Sequence, residues 1–440
     1  MSHAYDIVVV GAGPAGLAAA TAAAAAGRKV AVLDDNPHVG GQIWRAGAGK
    51  SARDGARERA VTAFGASGAE LFAGYQVVDA VASPGALQAW VTAQQRLERF
   101  RFESLVLATG ARERFLPFPG WTLPGVFGVG GLQALVRGGY DLRGKRVVVA
   151  GTGPLLPAVA AHLKQDGAEI VMIAEQAKMR QLVRFTASIL WRPGKMREGL
   201  QLRADLHGIP YRTGCWVAAV EGDECVTGVR LTDGSRAWVE RCDMLATGFH
   251  LVPNTELASL LGCRVTDTGV EVNAEQQTSV TSIYCAGEPT GVAGVGAATV
   301  QGEIAGLAAA GQAAAAAQLY KLRDAEASFG RALTRAFALR PEVLTLGEPD
   351  TIVCRCEDVR LGELQGRAMR YRNWTDAKLQ TRCGMGPCQG RVCGPALEAM
   401  FGWRNVSVRP PLFPIPVVAL CSPPSQEIEV SIPETQENSR

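Results

Sequence analysis

The chain has little net charge, few histidines and no apolar run long enough to cross a bilayer. Its 45 Lys and Arg against 42 Asp and Glu leave a net charge of +3, which points neither to nucleic acid nor to a strongly anionic membrane. The alanine-rich stretches Ala18–Ala26 and Leu307–Ala316 fall short of the roughly 20 apolar residues a spanning helix needs. Alanine at that density reads instead as helices packed tightly on a sheet. No N-terminal stretch joins basic residues to an apolar core, because a strand begins at Asp6, and secretion is not expected. The five histidines, His3, His38, His162, His207 and His250, form no pattern of a general base or a metal site. In a reducing cytoplasm, the expected compartment, clustered cysteines serve as ligands more readily than as disulfides.

A length of 440 residues predicts two or three domains, each with its own core. The first begins as strand, glycine turn, helix, strand. Asp6-Ile-Val-Val-Val10 is apolar after its first residue, as in a strand buried on both faces of a parallel sheet. Gly11, Gly13 and Gly16 then give G-x-G-x-x-G at the entry to an alanine-rich helix. The first glycine makes the turn, the second lets a pyrophosphate touch backbone, and the third lets helix and strand pack closely. The helix N-terminus, opened by Pro14 and Ala15, presents free amides to phosphate. The second strand, Val30–Leu33, ends at Asp34, twenty-three residues after Gly11, where a carboxylate can accept from ribose hydroxyls; Asp35 follows it.

A second, altered unit begins at Gly144. Arg146–Ala150 is its strand, Gly151-Thr-Gly153 its turn, and Glu169–Ala174 its next strand, ending at Glu175. Leu156 stands where the third glycine belongs, which is expected to push the helix off the strand and widen the phosphate turn. Hydride donation by NADH is therefore not expected, whereas occupancy by an adenine nucleotide without chemistry stays open. Glu175 would repel a 2′-phosphate, so NADP is the least expected guest. Disulfide-exchange chemistry is missing as well. The segment after the second strand reads Gly40-Gly-Gln-Ile-Trp-Arg45, and the inserted unit holds only scattered Cys215, Cys225 and Cys242, read as small buried hydrophobes.

Near the C-terminus the cysteines cluster. Cys354 and Cys356 form a C-x-C pair, and thirty-one residues separate Cys356 from Cys388. Cys383, Cys388 and Cys393 share a glycine-rich turn with Gly384, Gly386, Gly390 and Gly394. Iron–sulfur clusters need four thiolates and loops that let amides approach sulfur, and glycine accepts positive φ and close approach. A zinc ribbon is the rival, but its pairs are usually C-x₂₋₄-C. A single intervening residue makes both thiolates hard to place on one tetrahedral zinc.

The C-x-C, the spacing of about thirty and the second pair resemble the bacterioferritin-associated ferredoxin domain, which holds a 2Fe-2S cluster. The string Cys383-Gly-Met-Gly-Pro-Cys-Gln-Gly-Arg-Val-Cys393 is similar to the version fused to flavoprotein subunits of hetero-oligomeric dehydrogenases. Those include the α subunits of dye-linked proline, D-hydroxyproline and opine dehydrogenases and the matching subunit of hydrogen cyanide synthase. The resemblance runs from about Tyr5 to about Pro416. It implies 2Fe-2S ligation by Cys354, Cys356 and Cys388, with Cys393 as the fourth ligand and Cys383 as the alternative. It also implies a two-dinucleotide α/β flavoprotein fold of glutathione-reductase type, with FAD in the first domain. Val106-Leu-Ala-Thr-Gly110 and Leu245-Ala-Thr-Gly248 resemble the returns to the FAD domain of that fold. Ile283-Tyr-Cys-Ala-Gly-Glu288 resembles the strand whose terminal acid holds the flavin ribityl chain, here Glu288 in place of the commoner aspartate. The expected FAD contacts are Gly11, Gly13, Pro14, Ala15, Gly16, Asp34, Asp35, Gly41, Gln42, Thr109, Gly110, Gly287, Glu288 and Gly296.

The organisation expected is nested. Residues 1–115 and 241–320 form the FAD domain, 116–240 an inserted NAD-type domain, 321–350 a charged helical linker, 351–410 the cluster domain, and 411–440 a tail. Residues 351–410 carry ten Arg or Lys against five Asp or Glu, an excess that can offset an anionic cluster or simply be solvated. No catalytic residue is identified. The resemblance implies electron transfer from a β subunit whose own FAD oxidises the substrate, with FMN between the subunits, a small third subunit in some relatives, and an external acceptor. The alternative is a self-contained NADH-dependent flavin and iron–sulfur reductase.

Overall fold

A computed structural model describes residues 2–44, 55–368, 371, 373–404 and 408–421; the rest of the expected tail lies outside the described residues. The apolar run after Asp6 forms the centre of the first sheet. Strands β1 (Ser2–Val10), β2 (Val30–Asp34), β3 (Glu70–Ala73), β4 (Tyr75–Val81), β5 (Ala86–Val91) and β6 (Arg96–Leu107) take the order β3-β2-β1-β6-β5-β4, and a further strand, Ile283–Cys285, pairs with β6. β1 runs parallel to β2 and β6, whereas β4, β5 and β6 are antiparallel neighbours. Ile7, Val8 and Val9 are buried on both faces, as a covered parallel sheet requires.

One face is covered by α1 (Pro14–Ala25), with α2 (Gly55–Ala66) beside it. The polypeptide then crosses to a second sheet through β7 (Ala111–Glu113). This sheet uses β8 (Val126–Gly128), β9 (Arg146–Thr152), β10 (Glu169–Glu175), β11 (Tyr211–Thr213) and β15 (Met244–Phe249) in the order β11-β10-β9-β15-β8. Between β11 and β15 lies an antiparallel trio, β12 (Trp216–Glu221), β13 (Gly228–Thr232) and β14 (Ala237–Arg241). Helices α3 (Val129–Arg137), α4 (Leu155–Gln165), α5 (Met179–Ser188) and α6 (Pro193–Asp205) accompany the second sheet. β16 (Leu251–Pro253) pairs with β7 and closes a ribbon between the two sheets. Because β15 belongs to the second sheet, the return to the first falls after His250 rather than at residue 241. Leu245–Gly248 lies within β15, and Val106–Gly110 spans the end of β6.

After α7 (Glu256–Leu260), α8 (Val295–Ala309) packs on α1. The contact is made possible by missing side chains: a Cβ on Gly302 would run into the Ala15 carbonyl, and one on Gly306 into the Ala19 carbonyl. Helices α9 (Ala313–Gln318) and α10 (Tyr320–Ala336) follow. The stretch after α10 is built into the second domain rather than free of it. Phe337 and Val343 are buried, and Leu339, Leu344 and Leu346 pack against the core that holds Trp121 and Trp216.

A small C-terminal unit has an antiparallel pair, Ile352–Cys354 and Val359–Arg360, and helices Leu361–Ala368, Trp374–Thr381 and Cys393–Phe401. Its core gathers Val353, Leu361, Leu364, Tyr371, Trp374, Leu397 and Trp403. It is tied to the rest by the Trp121 indole donating to the Ile352 carbonyl at 2.6 Å and by Arg112 Nε donating to the Arg391 carbonyl at 3.1 Å. No helix among the described residues is long and apolar enough to cross a membrane.

Adding bulk at the α1–α8 contact should be costly. Gly302→Val is expected to destabilise by about 1–3 kcal/mol. Gly65→Ala, where a Cβ would meet nothing within 4 Å, should gain up to about 1 kcal/mol. Denaturant midpoints of the two variants measure both effects.

Candidate functional site

The first glycine turn is closed on two sides and open on one. A Cβ on Gly11 would strike the Ala108 carbonyl, and one on Gly16 would strike the Gly11 carbonyl. At Gly13 the nearest atom to such a Cβ is the Gly41 Cα, 3.9 Å away. Backbone is therefore bare at the one position where a pyrophosphate must approach. Pro14 opens α1 and Gly13 caps it, so the helix amides face the same space. Gly40 and Gly41 have φ of 118° and 60°. The Gly40 amide donates to the Ala12 carbonyl at 2.8 Å and holds this second loop against the turn.

Asp34 is tied into the turn itself. Its Oδ2 accepts from the Ala12 amide at 2.5 Å, and its Oδ1 accepts from the Asn36 amide and Nδ2, both at 2.8 Å. Buried and bonded to the protein at both oxygens, the carboxylate braces the glycine turn. The acid at the exposed edge of this site is Asp35, held by Asn36 Nδ2 at 2.8 Å. Gln42 is exposed in the adjoining loop.

Thr109 and Gly110 are cross-linked to Asn254. Thr109 Oγ1 donates to the Asn254 carbonyl at 2.7 Å, Asn254 Nδ2 donates to the Thr109 carbonyl at 2.8 Å, and the Asn254 amide donates to the Gly110 carbonyl at 3.0 Å. Gly287 lies against Ala15, where a Cβ would come within 2.9 Å of the alanine methyl, and its amide donates to Gln301 Oε1 at 2.9 Å. Glu288 accepts from the Gly294 amide through Oε1 at 3.1 Å, while its buried Oε2 has no partner among the described residues. Burial pushes its pKa up, against the lowering effect of the Gly294 and Ala293 amides. A buried acceptor left open beside the glycine turn fits a hydroxylated chain such as ribityl. Gly296 sits in the first turn of α8, where a Cβ would lie 2.7 Å from Glu326 Oε2. Asn254, Gln301 and the Gly302/Gly306 pair were not singled out in the sequence, although glycines four apart in a helix signal a close helix contact.

The second unit keeps the brace and alters the turn. Glu175 Oε2 accepts from the Gly153 amide and Oε1 from the Ala177 amide, both at 2.8 Å, as Asp34 does for Ala12. Burial pushes its pKa up to about 7, outweighing those amides. With its carboxylate turned inward, Glu175 is not the group that would meet a ribose phosphate, contrary to the sequence expectation. Leu156 is fully buried, and a Cβ on Gly248 would come within 3.2 Å of its Cδ2. The leucine occupies space that the bare Gly248 leaves, and α4 starts at Leu155, one residue later in its turn than α1 does in the first unit. Cys215 and Cys242 are buried, with desolvation pushing their pKa values up to about 11 and about 12. Cys225 is exposed, contrary to its expected burial.

The C-terminal cysteines converge. The sulfurs of Cys354, Cys383 and Cys393 all lie within 4.8 Å of one another, and Cys356 and Cys388 are within hydrogen-bonding reach of each other. Cys354, Cys356, Cys388 and Cys393 line one cavity of about 440 Å³, together with Phe115, Trp121 and Phe127 of the second domain. Cys383 lies behind them, fully buried, and is not part of that lining. Thiol donation from Cys383 and Cys393, and the Gly384 amide at 3.4 Å from Cys354 Sγ, hold the Cys354 thiol far below its ordinary pKa. Four sulfurs around one cavity, with an amide on one of them, match the donor set of an iron–sulfur cluster.

The glycines of this turn answer mainly to Trp374. A Cβ on Gly384 or Gly390 would lie 2.8 or 2.6 Å from the indole, and one on Gly394 would also meet it. The indole Nε1 donates to the Cys383 carbonyl at 3.3 Å. Much of the basic excess is paired: Arg382 with Glu357, Arg360 with Asp350, and Arg404 with Asp267 and Glu398. His3 pairs with Glu98, His162 with Gln133 and His250 with a backbone carbonyl, while His38 and His207 are exposed.

Residues 5–315 match the family model of pyridine nucleotide-disulphide oxidoreductases. The chain is 31% identical to hydrogen cyanide synthase subunit HcnB of Pseudomonas protegens, over 96% of this chain and 98% of that one. It is 32% identical to an opine oxidase subunit from Rhizobium meliloti, over 93% and 97%. Among solved structures, L-proline dehydrogenase from P. horikoshii superposes with a TM-score of 0.65 at 18% identity, covering 95% of this chain and 80% of that one. Thioredoxin reductase of T. acidophilum gives 0.56 at 22% identity, covering 71% and 99%.

Gly13→Val would place a branched side chain where the turn is open, without disturbing Gly11 or Gly16. Flavin content after purification is expected to fall by at least about tenfold, as a loss of roughly 1.4 kcal/mol or more in binding requires. Normal content would remove the turn as the FAD site.

Proposed function

The chain belongs to the pyridine nucleotide-disulphide oxidoreductase family, and on that premise we propose that it is the electron-transfer subunit of a multi-subunit dehydrogenase acting on an amino acid, imino acid or opine. The observation that carries the reading is the cavity lined by Cys354, Cys356, Cys388 and Cys393. It occurs in a chain whose segment 40–44, beside the dinucleotide turn, contains no cysteine. When bound, FAD would supply acceptance of two electrons together and their release singly, and a 2Fe-2S cluster would carry them one at a time.

The chain's own residues divide that work. The bare backbone at Gly13 and the amides opening α1 would hold the pyrophosphate, and Asp35, rather than Asp34, would meet the ribose. Glu288 Oε2 would accept from the ribityl chain. The N-terminus of α8 brings its partial positive charge to the same end of the site. At the cysteine cavity, the Gly384 amide favours the thiolate of Cys354, and Trp374 holds the loop that carries Cys388 and Cys393. Cys393 is taken as the fourth ligand, with Cys383, whose sulfur also lies within 4.8 Å of those of Cys354 and Cys393, as the alternative.

The relatives named as subunits of hydrogen cyanide synthase and opine oxidase support a partner chain; we further propose that this partner oxidises the substrate, with FMN between the two chains and an external acceptor. The family fold supports FAD in the first domain. Clustered free thiols support a reducing compartment, the cytoplasm.

Replacing each cysteine by serine tests the ligand set. Cys354→Ser, Cys356→Ser, Cys388→Ser and Cys393→Ser are each expected to lose iron and the spin signal of the reduced protein, and Cys383→Ser to keep both. Loss at Cys383 with retention at Cys393 would exchange the fourth ligand, and bound zinc without iron would end the assignment.

Co-purification with the partner chain, followed by anaerobic mixing, tests the function. Flavin absorbance should bleach with an amino-acid or opine substrate only when the partner is present. The isolated chain should stay oxidised with excess NADH for many turnovers of an ordinary enzyme, at about 10 per second. Fast bleaching by NADH alone would establish the stand-alone reductase instead.

A further inference from the structure

In open parallel sheets, ligands bind in the crevice beyond the carboxyl ends of the strands, where the strand order reverses. In the second domain that point lies between β9 and β10 on one side and β15 on the other, and three residues stand at its edge: Thr152, Gln176 and His250. All three are bonded to a single stretch of the same chain. Thr152 Oγ1 donates to the Phe337 carbonyl at 3.2 Å, and His250 Nε2 lies 2.6 Å from that same oxygen. Gln176 Nε2 donates to the Ala338 carbonyl at 3.1 Å, and its Oε1 accepts from the Arg340 amide at 3.0 Å. Donors from three strand ends thus converge on two adjacent carbonyl oxygens.

We propose that residues 337–340 are the resident occupant of this crevice, and that the second domain is a clamp for the segment leading into the cysteine domain rather than a nicotinamide-nucleotide site. Packing supports the bonding. Phe337 is 4% exposed and clusters with Ala177, Leu182 and Phe185, its ring 5.4 Å from that of Phe185. The Arg340 guanidinium lies 4.4 Å over the Trp216 ring and pairs with Glu342 at 2.6 Å. Gln176 is fully buried, so its amide cannot turn to a ribose without breaking both bonds to the segment.

His250 supplies an independent sign. It adopts φ 69°, a left-handed conformation that a residue with a Cβ takes only at some cost and that clusters at functional positions. That backbone directs the imidazole at Phe337 and lets the His250 carbonyl accept from the Arg114 amide at 3.0 Å. Burial lowers the imidazole's pKa, in keeping with a neutral donor. Gly13 and Gly153 are alike in facing open space, and the first domain differs in the residue after its brace, where Asp35 is exposed and Gln176 is buried. Beyond Arg340 the chain passes buried Val343 and reaches Ile352, whose carbonyl is held by Trp121. The clamp and that bond bracket the approach to Cys354.

Occupancy of the crevice does not depend on the metal at the cysteines, although the use made of it rests on the reading above. The test uses the full chain loaded with FAD. Hydrogen exchange of the backbone amides of 339, 340 and 342–344 is expected to be at least about tenfold slower than in the exposed turn 222–225. Adding NADH, NADPH or ADP at about 1 mM should leave it unchanged, and equilibrium dialysis should find no saturable binding tighter than about 1 mM. The paired change Gln176→Ala and His250→Ala should speed exchange in 339–344 and leave β1 unaffected. Gln176→Ala alone should do so more weakly, which guards against loss of fold in the double variant. Nucleotide binding that alters exchange in 339–344, wild-type exchange as fast as the exposed turn, or no acceleration in either variant would each overturn the proposal. Iron content, measured on the same samples, reports on the cluster reading separately.

Discussion

Backbone touching backbone without intervening side chains is the constraint on which the first domain rests. Gly11 meets the Ala108 carbonyl, Gly16 meets the Gly11 carbonyl, and Gly302 and Gly306 meet the carbonyls of Ala15 and Ala19. These contacts fix the separation of β1, α1, β6 and α8, and with it the shape of the dinucleotide cradle. Overpacking at any of them would push whole elements apart, since close-packed interiors transmit strain. Gly13 is the exception: its missing side chain faces open space, and that difference separates a glycine kept for packing from one that leaves room for a ligand.

The two nucleotide-type units share a device and diverge in its use. In each, the acid ending the second strand turns inward and holds an amide of the glycine turn, Asp34 to Ala12 and Glu175 to Gly153. The next residue decides what the crevice meets. Asp35 is exposed at the edge of the first, while Gln176 is buried and spends both ends of its amide on the chain's own backbone. A buried amide satisfied on both sides is costly to displace, so the same strand–turn–helix can serve a cofactor in one copy and a structural segment in the other.

In the cysteine domain an aromatic ring does the work of a template. The turn from Cys383 to Gly394 wraps Trp374, and three of its glycines are bare because the indole fills the space in which their side chains would stand. Cys388 and Cys393 of this turn line the cavity shared with Phe115, Trp121 and Phe127, whereas Cys383 does not. Loop shape, and hence the spacing of the sulfurs, depends on a residue that is not itself a ligand.

Local patterns in the chain were enough to identify both nucleotide units, the first cradle and the cysteine group. A buried parallel strand, a G-x-G-x-x-G turn and a C-x-C pair impose short-range geometry that neighbouring residues alone satisfy. Glu288 and Thr109 were reached through a resemblance instead, and each follows shortly after a strand that pairs in the first sheet. What tertiary structure alone decided depends on contacts between residues distant in sequence. It moved β15 into the second sheet, because strand pairing with β9 and β8 is settled across more than ninety intervening residues on one side and over a hundred on the other. It turned Asp34 and Glu175 inward, since only the folded turn presents an amide to each. It brought the sulfurs of Cys354, Cys383 and Cys393 within 4.8 Å of one another across some thirty residues of chain, and carried residues 337–340 into the crevice of a domain that ends at His250. Spacing along a chain measures how far a group can reach, and the packed elements around it determine which way it points.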